Sequence, residues 1–246
     1  MILTIAQREI RSLFSTPLAW IILAVSQMIL SWVFFVQIDN FFAIQSQLTT
    51  LPNAPGVTDL VIMPVIEIAS IMLLMITPLL TMRLISEERR NATLSLLLSA
   101  PISVTEIILG KFVGIIFFML IFIFMLSLMP FVLLTGADLD LGKLAAGFLG
   151  LFLLLASFSA AGLYLSSLTS NPTIAAISTF GLLILLWIIN NGADANNSLN
   201  YLSLLHHFIP MSRGIVDSAD ITYFAIFITT FLLLSIRQMD AQRLQN

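Results

Sequence analysis

Apolar residues fill this chain in long unbroken runs, and polar residues are confined to the gaps between them. Runs able to cross a hydrocarbon core of about 30 Å, which takes about 20 helical residues, extend from Pro17 to Ile38, Leu60 to Ile85, Ile107 to Leu134 and Leu144 to Leu168. Shorter ones extend from Thr173 to Ile189 and from Ile221 to Ile236. None alternates apolar and polar positions as a barrel strand does, and backbone amides in lipid need partners within their own segment, so these runs predict helices. The expectation is one all-α integral membrane domain over residues 1–246 with six spans, which puts both termini on the same side.

A weaker pattern precedes the first run. Leu3, Ala6, Ile10, Leu13 and Phe14 recur at helical spacing, with Thr4, Arg8, Arg11 and Ser15 on the opposite face. That contrast predicts an amphipathic helix lying at the membrane surface; the plainer alternative is a lead-in that simply lengthens the first span. Ser15-Thr16-Pro17 reads as capping residues followed by a proline at a helix start. The run after Arg8 and Arg11 is too long for a signal-peptide core of about 7–15 residues and has no A-x-A-like cleavage site after it, so an uncleaved span is expected.

On the other side of the predicted bundle, Pro52, Asn53, Pro55 and Gly56 mark turns within the Asp39 to Asp59 segment. The segment from Asn190 to Asp220 begins polar, at Asn196, Asn197 and Asn200, then becomes amphipathic through Leu202, Leu205, Phe208 and Ile209. Such a segment can dip partway into the outer leaflet where protein or water covers its backbone.

Composition sharpens this picture. Hydrophobic residues make up 59% of the 246 and charged residues 9%, against about 25% charged in soluble domains, and the mean hydropathy is +1.06. Arg8, Arg11, Arg83, Arg89, Arg90, Lys111, Arg237 and Arg243 fall on the side of the termini, and only Lys143 and Arg213 on the other. The positive-inside rule therefore points both termini into the cytoplasm, as in a multi-pass protein of the bacterial inner membrane. The basic residues form no patch, so no nucleic-acid partner is expected. The absence of cysteine removes thiolate nucleophiles and sulfur-ligated metals.

The most informative stretch lies between the second and third spans. Ser86 is followed by four consecutive charges, Glu87-Glu88-Arg89-Arg90, then Asn91-Ala92-Thr93 and a leucine-rich turn or two through Leu94, Leu96, Leu97 and Leu98, ended by Pro101. Ser103-x-x-Glu106 then matches a capping box ahead of the third span. A short helix bracketed by two spans suits force transmission from a soluble partner that holds leucine anchors in a groove. On physics alone an equal alternative is that the charges cap the second span and the leucines lie on the bilayer surface.

This stretch, with Ile107-Ile108-Leu109-Gly110-Lys111 after it, resembles the coupling-helix pattern of ABC-2-type exporter permeases. Pro210-Met211-Ser212-Arg213-Gly214-Ile215-Val216-Asp217-Ser218-Ala219-Asp220, ahead of a last apolar span and Arg237, is similar to the gliding-motility branch of that family. The resemblance implies an interfacial amino-terminal helix, a coupling helix after the second span and a re-entrant segment before the sixth. It also implies a cytoplasmic ABC ATPase that docks on Glu87, Glu88, Arg89, Arg90, Thr93, Leu94, Leu96, Leu97 and Leu98, and a second permease subunit. An accessory extracytoplasmic protein is a further partner it allows. The chain has no G-x-x-x-x-G-K-[ST], so no cofactor is expected in it, and ATP and Mg would be bound by the partner.

Glu67 is the one acid placed well inside a span, about two helical turns from the outer end of the second. Intramembrane carboxylates usually face a bundle interior or water, which makes Glu67 a candidate for the transport path, with an ordinary helix contact as the bland alternative. Pro64, Pro78 and Pro130 invite kinks. Gly110-x-x-x-Gly114 and Ala156, Ala160 and Ala161 offer small-residue surfaces, best read as ordinary packing. His206 and His207 lack a carboxylate at ligand spacing, so no metal site is expected there. Met119, Met125 and Met129 suit lipid-facing or packing surface. An intramembrane hydrolase would need Glu87 and Glu88 to meet the histidines from opposite sides, and a secondary transporter would rest on Glu67 alone. The resemblance implies a non-catalytic exporter permease, with an ATPase-independent secondary transporter or an intramembrane hydrolase as the alternatives.

Overall fold

The structure is a computed structural model that describes residues 1–48, 55–93, 102–134, 138–192 and 201–243. Among the described residues there is no strand. In chain order the helices are α1 (Ile2–Ser15), α2 (Pro17–Leu48), a π-helical turn (Thr58–Ile62) continuous with α3 (Met63–Thr81), then α4 (Ser86–Arg90) and α5 (Val104–Leu133). After these come α6 (Leu141–Leu168), α7 (Pro172–Gly192), α8 (Leu204–Ser212) and α9 (Ser218–Arg243). Six described stretches are long and apolar enough to cross a membrane: Pro17–Gln47, Thr58–Arg90, Val104–Leu133, Leu141–Leu168, Pro172–Ile189 and Ser218–Arg243. They coincide with the six apolar runs.

The boundaries differ where apolarity is not what ends a helix. α2 continues past Asp39 and Asn40 to Leu48, so much of the segment expected to be turns is helical. The physical reason is that residues 39–48 contain neither glycine nor proline, and a polar side chain alone does not stop helix propagation. Pro52 and Asn53 lie outside the described residues.

α1 and α2 are separate helices, because Thr16 is extended (φ −93°, ψ 137°) and Pro17, lacking an amide hydrogen, opens α2. Contrary to the expectation from sequence, the hydroxyls here do not cap the start of α2. Ser15 donates to Ser12 O and Thr16 to Leu13 O, each at 2.8 Å, and so close the carboxyl end of α1. Ser103 and Glu106, by contrast, form the expected capping box at α5: the Glu106 amide donates to Ser103 Oγ, and the Ser103 amide to Glu106 Oε2.

α6 is the centre of the bundle, packing on α3, α5, α7, α8 and α9. Its small residues explain why. Ala156, Ala160 and Ala161 are buried, and Gly147, Gly150 and Gly162 lie directly against Ile66, Met211 and Thr81 respectively. With lipid as solvent there is no hydrophobic gain in choosing one neighbour over another, so close backbone approach and better dispersion contact decide the packing. Pro64 sits where the π-helical turn passes into α3, and Pro78 and Pro130 lie inside α3 and α5.

Candidate functional site

Three elements meet at one ammonium group. Lys111, in the second turn of α5, is 1% exposed; its Nζ lies 2.6 Å from Glu9 Oε1 of α1 and 2.9 Å from Glu88 Oε1 of α4. Arg8 Nη2 stands 3.8 Å from the same Glu88 oxygen. A buried ammonium is tolerated only when paired and hydrogen-bonded, and two carboxylates meet that requirement here. The glycines on either side of Lys111 bring α1 close enough. A Cβ on Gly110 would stand 2.7 Å from Ile5 Cβ, and one on Gly114 would stand 2.8 Å from Glu9 Cβ. The Gly110-x-x-x-Gly114 surface is thus a packing surface for α1.

The break between α3 and α4 is held from within the core. Ser166 Oγ of α6, fully buried, accepts the amides of Ile85 (3.2 Å) and Ser86 (3.1 Å) and donates to Met82 O (3.1 Å). The Ser86 hydroxyl also donates to Met82 O. One serine therefore satisfies amides left open where α4 starts and a carbonyl left open where α3 stops. Beyond it, the four-charge run divides by direction. Glu88 turns inward to Lys111, Glu87 and Arg89 are partly buried, and Arg90 is exposed. Ala92 adopts a left-handed φ of 54°, and Thr93 Oγ1 donates to Glu88 O at 3.2 Å. Leu94, Leu96, Leu97 and Leu98 lie outside the described residues.

Two cavities flank this segment. One, of about 340 Å³, is lined by Arg8, Glu9, Arg83, Glu87, Glu88 and Lys111 among others. The other, of about 450 Å³, lies between Arg83, Glu87 and Arg90 on one side and Pro172 and Thr173, at the start of α7, on the other. Arg83 and Glu87 border both.

Glu67 is placed apart from this cluster. It is exposed on the outside of the single-chain bundle, in line with exposed Ile71, Met75 and Leu79 along α3. The bundle interior of this chain is therefore not what it faces.

At the opposite end, sequence reasoning missed a second polar centre. His207 Nδ1 lies 2.6 Å from Asp220 Oδ1, its Nε2 lies 3.1 Å from Tyr201 O, and its ring stacks on Tyr223 at 3.9 Å. A carbonyl can only accept, so Nε2 carries hydrogen and Nδ1 shares one with Asp220. The partner is invisible in the sequence because it comes from the start of α9, across the turn that Gly214 makes at φ 90°. Nearby, Lys143 Nζ reaches both oxygens of Asp59 (2.7 and 2.9 Å), and the Asp140 amide donates to Thr58 Oγ1 at 3.0 Å. Glu88 and His207 thus stand at opposite ends of the bundle, one beside the start of α5 and the other beside the start of α6.

A family model described as "ABC-2 family transporter protein" matches residues 3–237, nearly the whole chain. The chain belongs to the ABC-2 transporter family. No curated protein matches it. As an ABC-2 family member it is a multi-pass membrane subunit of an ABC transporter, a component of transport rather than a catalyst in its own right. Glu88 and Lys111, both within the stretch whose pattern resembles the family, are the residues that join α4 to α5, and Lys111 also meets Glu9 of α1.

Proposed function

We propose that this ABC-2 family protein is the permease half of an exporter, driven by a separate cytoplasmic ATPase that grips the segment from Glu87 to Leu98. The observation that carries the reading is the double anchorage of α4. Ser166 ties its start to the central helix α6, and Glu88 ties its body to Lys111 of α5 and, through Lys111, to Glu9 of α1. A partner that displaced this short helix would move two spans and the amino-terminal helix together. Arg89, Arg90 and Thr93, with Leu94, Leu96, Leu97 and Leu98 beyond them, would make the contact.

The orientation follows from charge. Helices α1 and α4 and the start of α5 share one end with the end of α9, where Arg243 donates to Ile102 O at 3.3 Å. Eight of the ten basic residues belong to this end: Arg8, Arg11, Arg83, Arg89, Arg90, Lys111, Arg237 and Arg243. The positive-inside rule puts it, with both termini, in the cytoplasm of a bacterial inner-membrane protein. ATP and Mg are bound by the ATPase. A second permease subunit, either a copy or a relative, completes the path, and Glu67 supports this. A carboxylate on the outside of one protomer at membrane depth is costly in lipid and needs protein or water against it. The likeness of Pro210 to Asp220 to the gliding-motility branch favours a place there, with room for an accessory extracytoplasmic protein.

The test is co-purification with the ATPase before and after replacing Leu94, Leu96 and Leu97 by Asp. Release of the ATPase is expected, with the permease still in the membrane. A complex that survives the triple replacement would remove the docking assignment.

A further inference from the structure

Glu67 leaves a carboxyl group where lipid offers it nothing. It is exposed about two helical turns inside its span and makes no ion pair or side-chain hydrogen bond among the described residues. Further along the same face of α3 stand Ile71, Met75 and Leu79, which are 48%, 58% and 44% exposed. Every other charged side chain among the described residues lies in α1, in α4 or near the end of a span. Lipid tails neither donate a hydrogen bond nor solvate a carboxylate, so protein or water covers this face of α3 in the membrane.

The polar groups at that depth select a second copy of the chain as the cover. A bilayer keeps both copies upright, so a closed two-fold contact turns one about the membrane normal and brings equal residues to equal depth. No basic side chain among the described residues is exposed at the depth of Glu67. The exposed hydroxyl residues Thr229 and Thr230 belong to α9, which packs on α5, α6 and α8, whereas α3 packs on α2, α6 and α7. Where α3 meets α3, the polar group that faces Glu67 is therefore Glu67 of the second copy. Two carboxyls at hydrogen-bond distance do not both ionise; one keeps its proton and donates to the other. Such polar pairs join transmembrane helices where apolar contact alone does not discriminate between neighbours. The spacing of Glu67, Ile71, Met75 and Leu79 is also that of an i, i+4 ridge, which interdigitates with its own copy at a crossing of about −50°.

We infer that two copies of this chain meet along α3, with Ile71, Met75 and Leu79 packed across the two-fold axis and the two Glu67 carboxyls sharing one proton. This arrangement rests on the second-subunit part of the proposed function and deepens it: the subunit is a copy, the face is that of α3, and the seam holds a carboxyl pair to which each copy contributes one member.

The chain has no cysteine, so single introduced cysteines report the contact directly. Ile71→Cys and Met75→Cys are compared, in membranes from cells expressing the full chain, with Thr230→Cys and Leu233→Cys, exposed at similar depth on α9. Copper-phenanthroline oxidation should link the α3 variants into a product of twice the chain mass, about fivefold more than the α9 variants. Adding Glu67→Gln, whose carboxamides still donate and accept, should leave the Ile71→Cys link unchanged, whereas adding Glu67→Met should weaken it about fivefold. Linking no stronger on α3 than on α9, a linked product of another mass, or indifference to Glu67→Met would overturn the inference. Absence of the α3 link while the ATPase still co-purifies would remove this contact alone. An ATPase that stays bound after the leucine replacements, with the α3 link formed, would remove the docking reading and leave this contact standing.

Discussion

Lys111 Nζ and Glu88 Oε1 stand 2.9 Å apart, though one belongs to the third span and the other to the short helix that follows the second. With Glu9 on the other side of the ammonium, this polar joint links α1, α4 and α5. Replacing the ammonium with an apolar group strands two carboxylates that are only 13% and 15% exposed. Removing one member of a buried ionic cluster costs about 3–5 kcal/mol. Lys111→Met should therefore lower the melting temperature of the detergent-purified protein sharply, and adding Glu9→Gln and Glu88→Gln to Lys111→Met should recover much of the loss. Additive losses across the three substitutions would show that the joint is not a coupled unit.

Gly110 and Gly114 let α1 sit on α5. Besides the side-chain contacts, a Cβ on Gly110 would come within 3.1 Å of Ile2 O, and one on Gly114 within 3.3 Å of Ala6 O. Backbone cannot give way as a flexible side chain can, so the alanine double variant should push α1 off its seat at a cost of about 1–3 kcal/mol. Trypsin cleavage after Arg8 and Arg11 reads the displacement directly. Faster cleavage than in the parent protein is the expected result.

His207 and Asp220 separate a hydrogen-bonding role from a purely steric one. Asp220→Asn keeps a group that can donate to Nδ1 while Nε2 still donates to Tyr201 O, so stability should fall only slightly. Asp220→Ala leaves a buried ring nitrogen without a partner and should cost about 2 kcal/mol. Equilibrium unfolding of the two variants side by side checks this, and equal losses would show that a hydrogen bond to Nδ1 is not what holds the ring.

Glu67 tests the transport path. Its side chain is exposed along the α3 stripe that also carries Ile71, Met75 and Leu79, so replacing it should leave the protomer folded. Glu67→Gln is expected to reduce export while the protein stays in the membrane at its normal level. Unchanged transport would discard the assignment and leave Glu67 as a helix contact.

Much of the fold is legible in the amino-acid sequence, because in a bilayer the length and apolarity of a run determine whether it spans. The six spans, the Ser103–Glu106 capping box and the break before Pro17 follow from residues within a turn or two of one another. The four-charge run is recognisable in the same way, and its likeness to the ABC-2 coupling pattern points to the family that the chain belongs to.

What local pattern does not supply is direction. A spanning helix is apolar on every side, so periodicity does not say which face meets protein and which meets lipid. The sequence does not say which way Glu67 faces, and in the fold of this chain it is exposed. The partners of Lys111, Ser166 and His207 are equally hidden. Glu9 is 102 residues from Lys111, Ser86 is 80 from Ser166, and Asp220 meets His207 only because the chain reverses at Gly214. Sequence alone marked the six stretches long and apolar enough to cross a membrane and the family that the chain resembles, since both depend on short-range order. Only the packing of helices decided which charges are joined, because that depends on how far small residues let each backbone approach its neighbour.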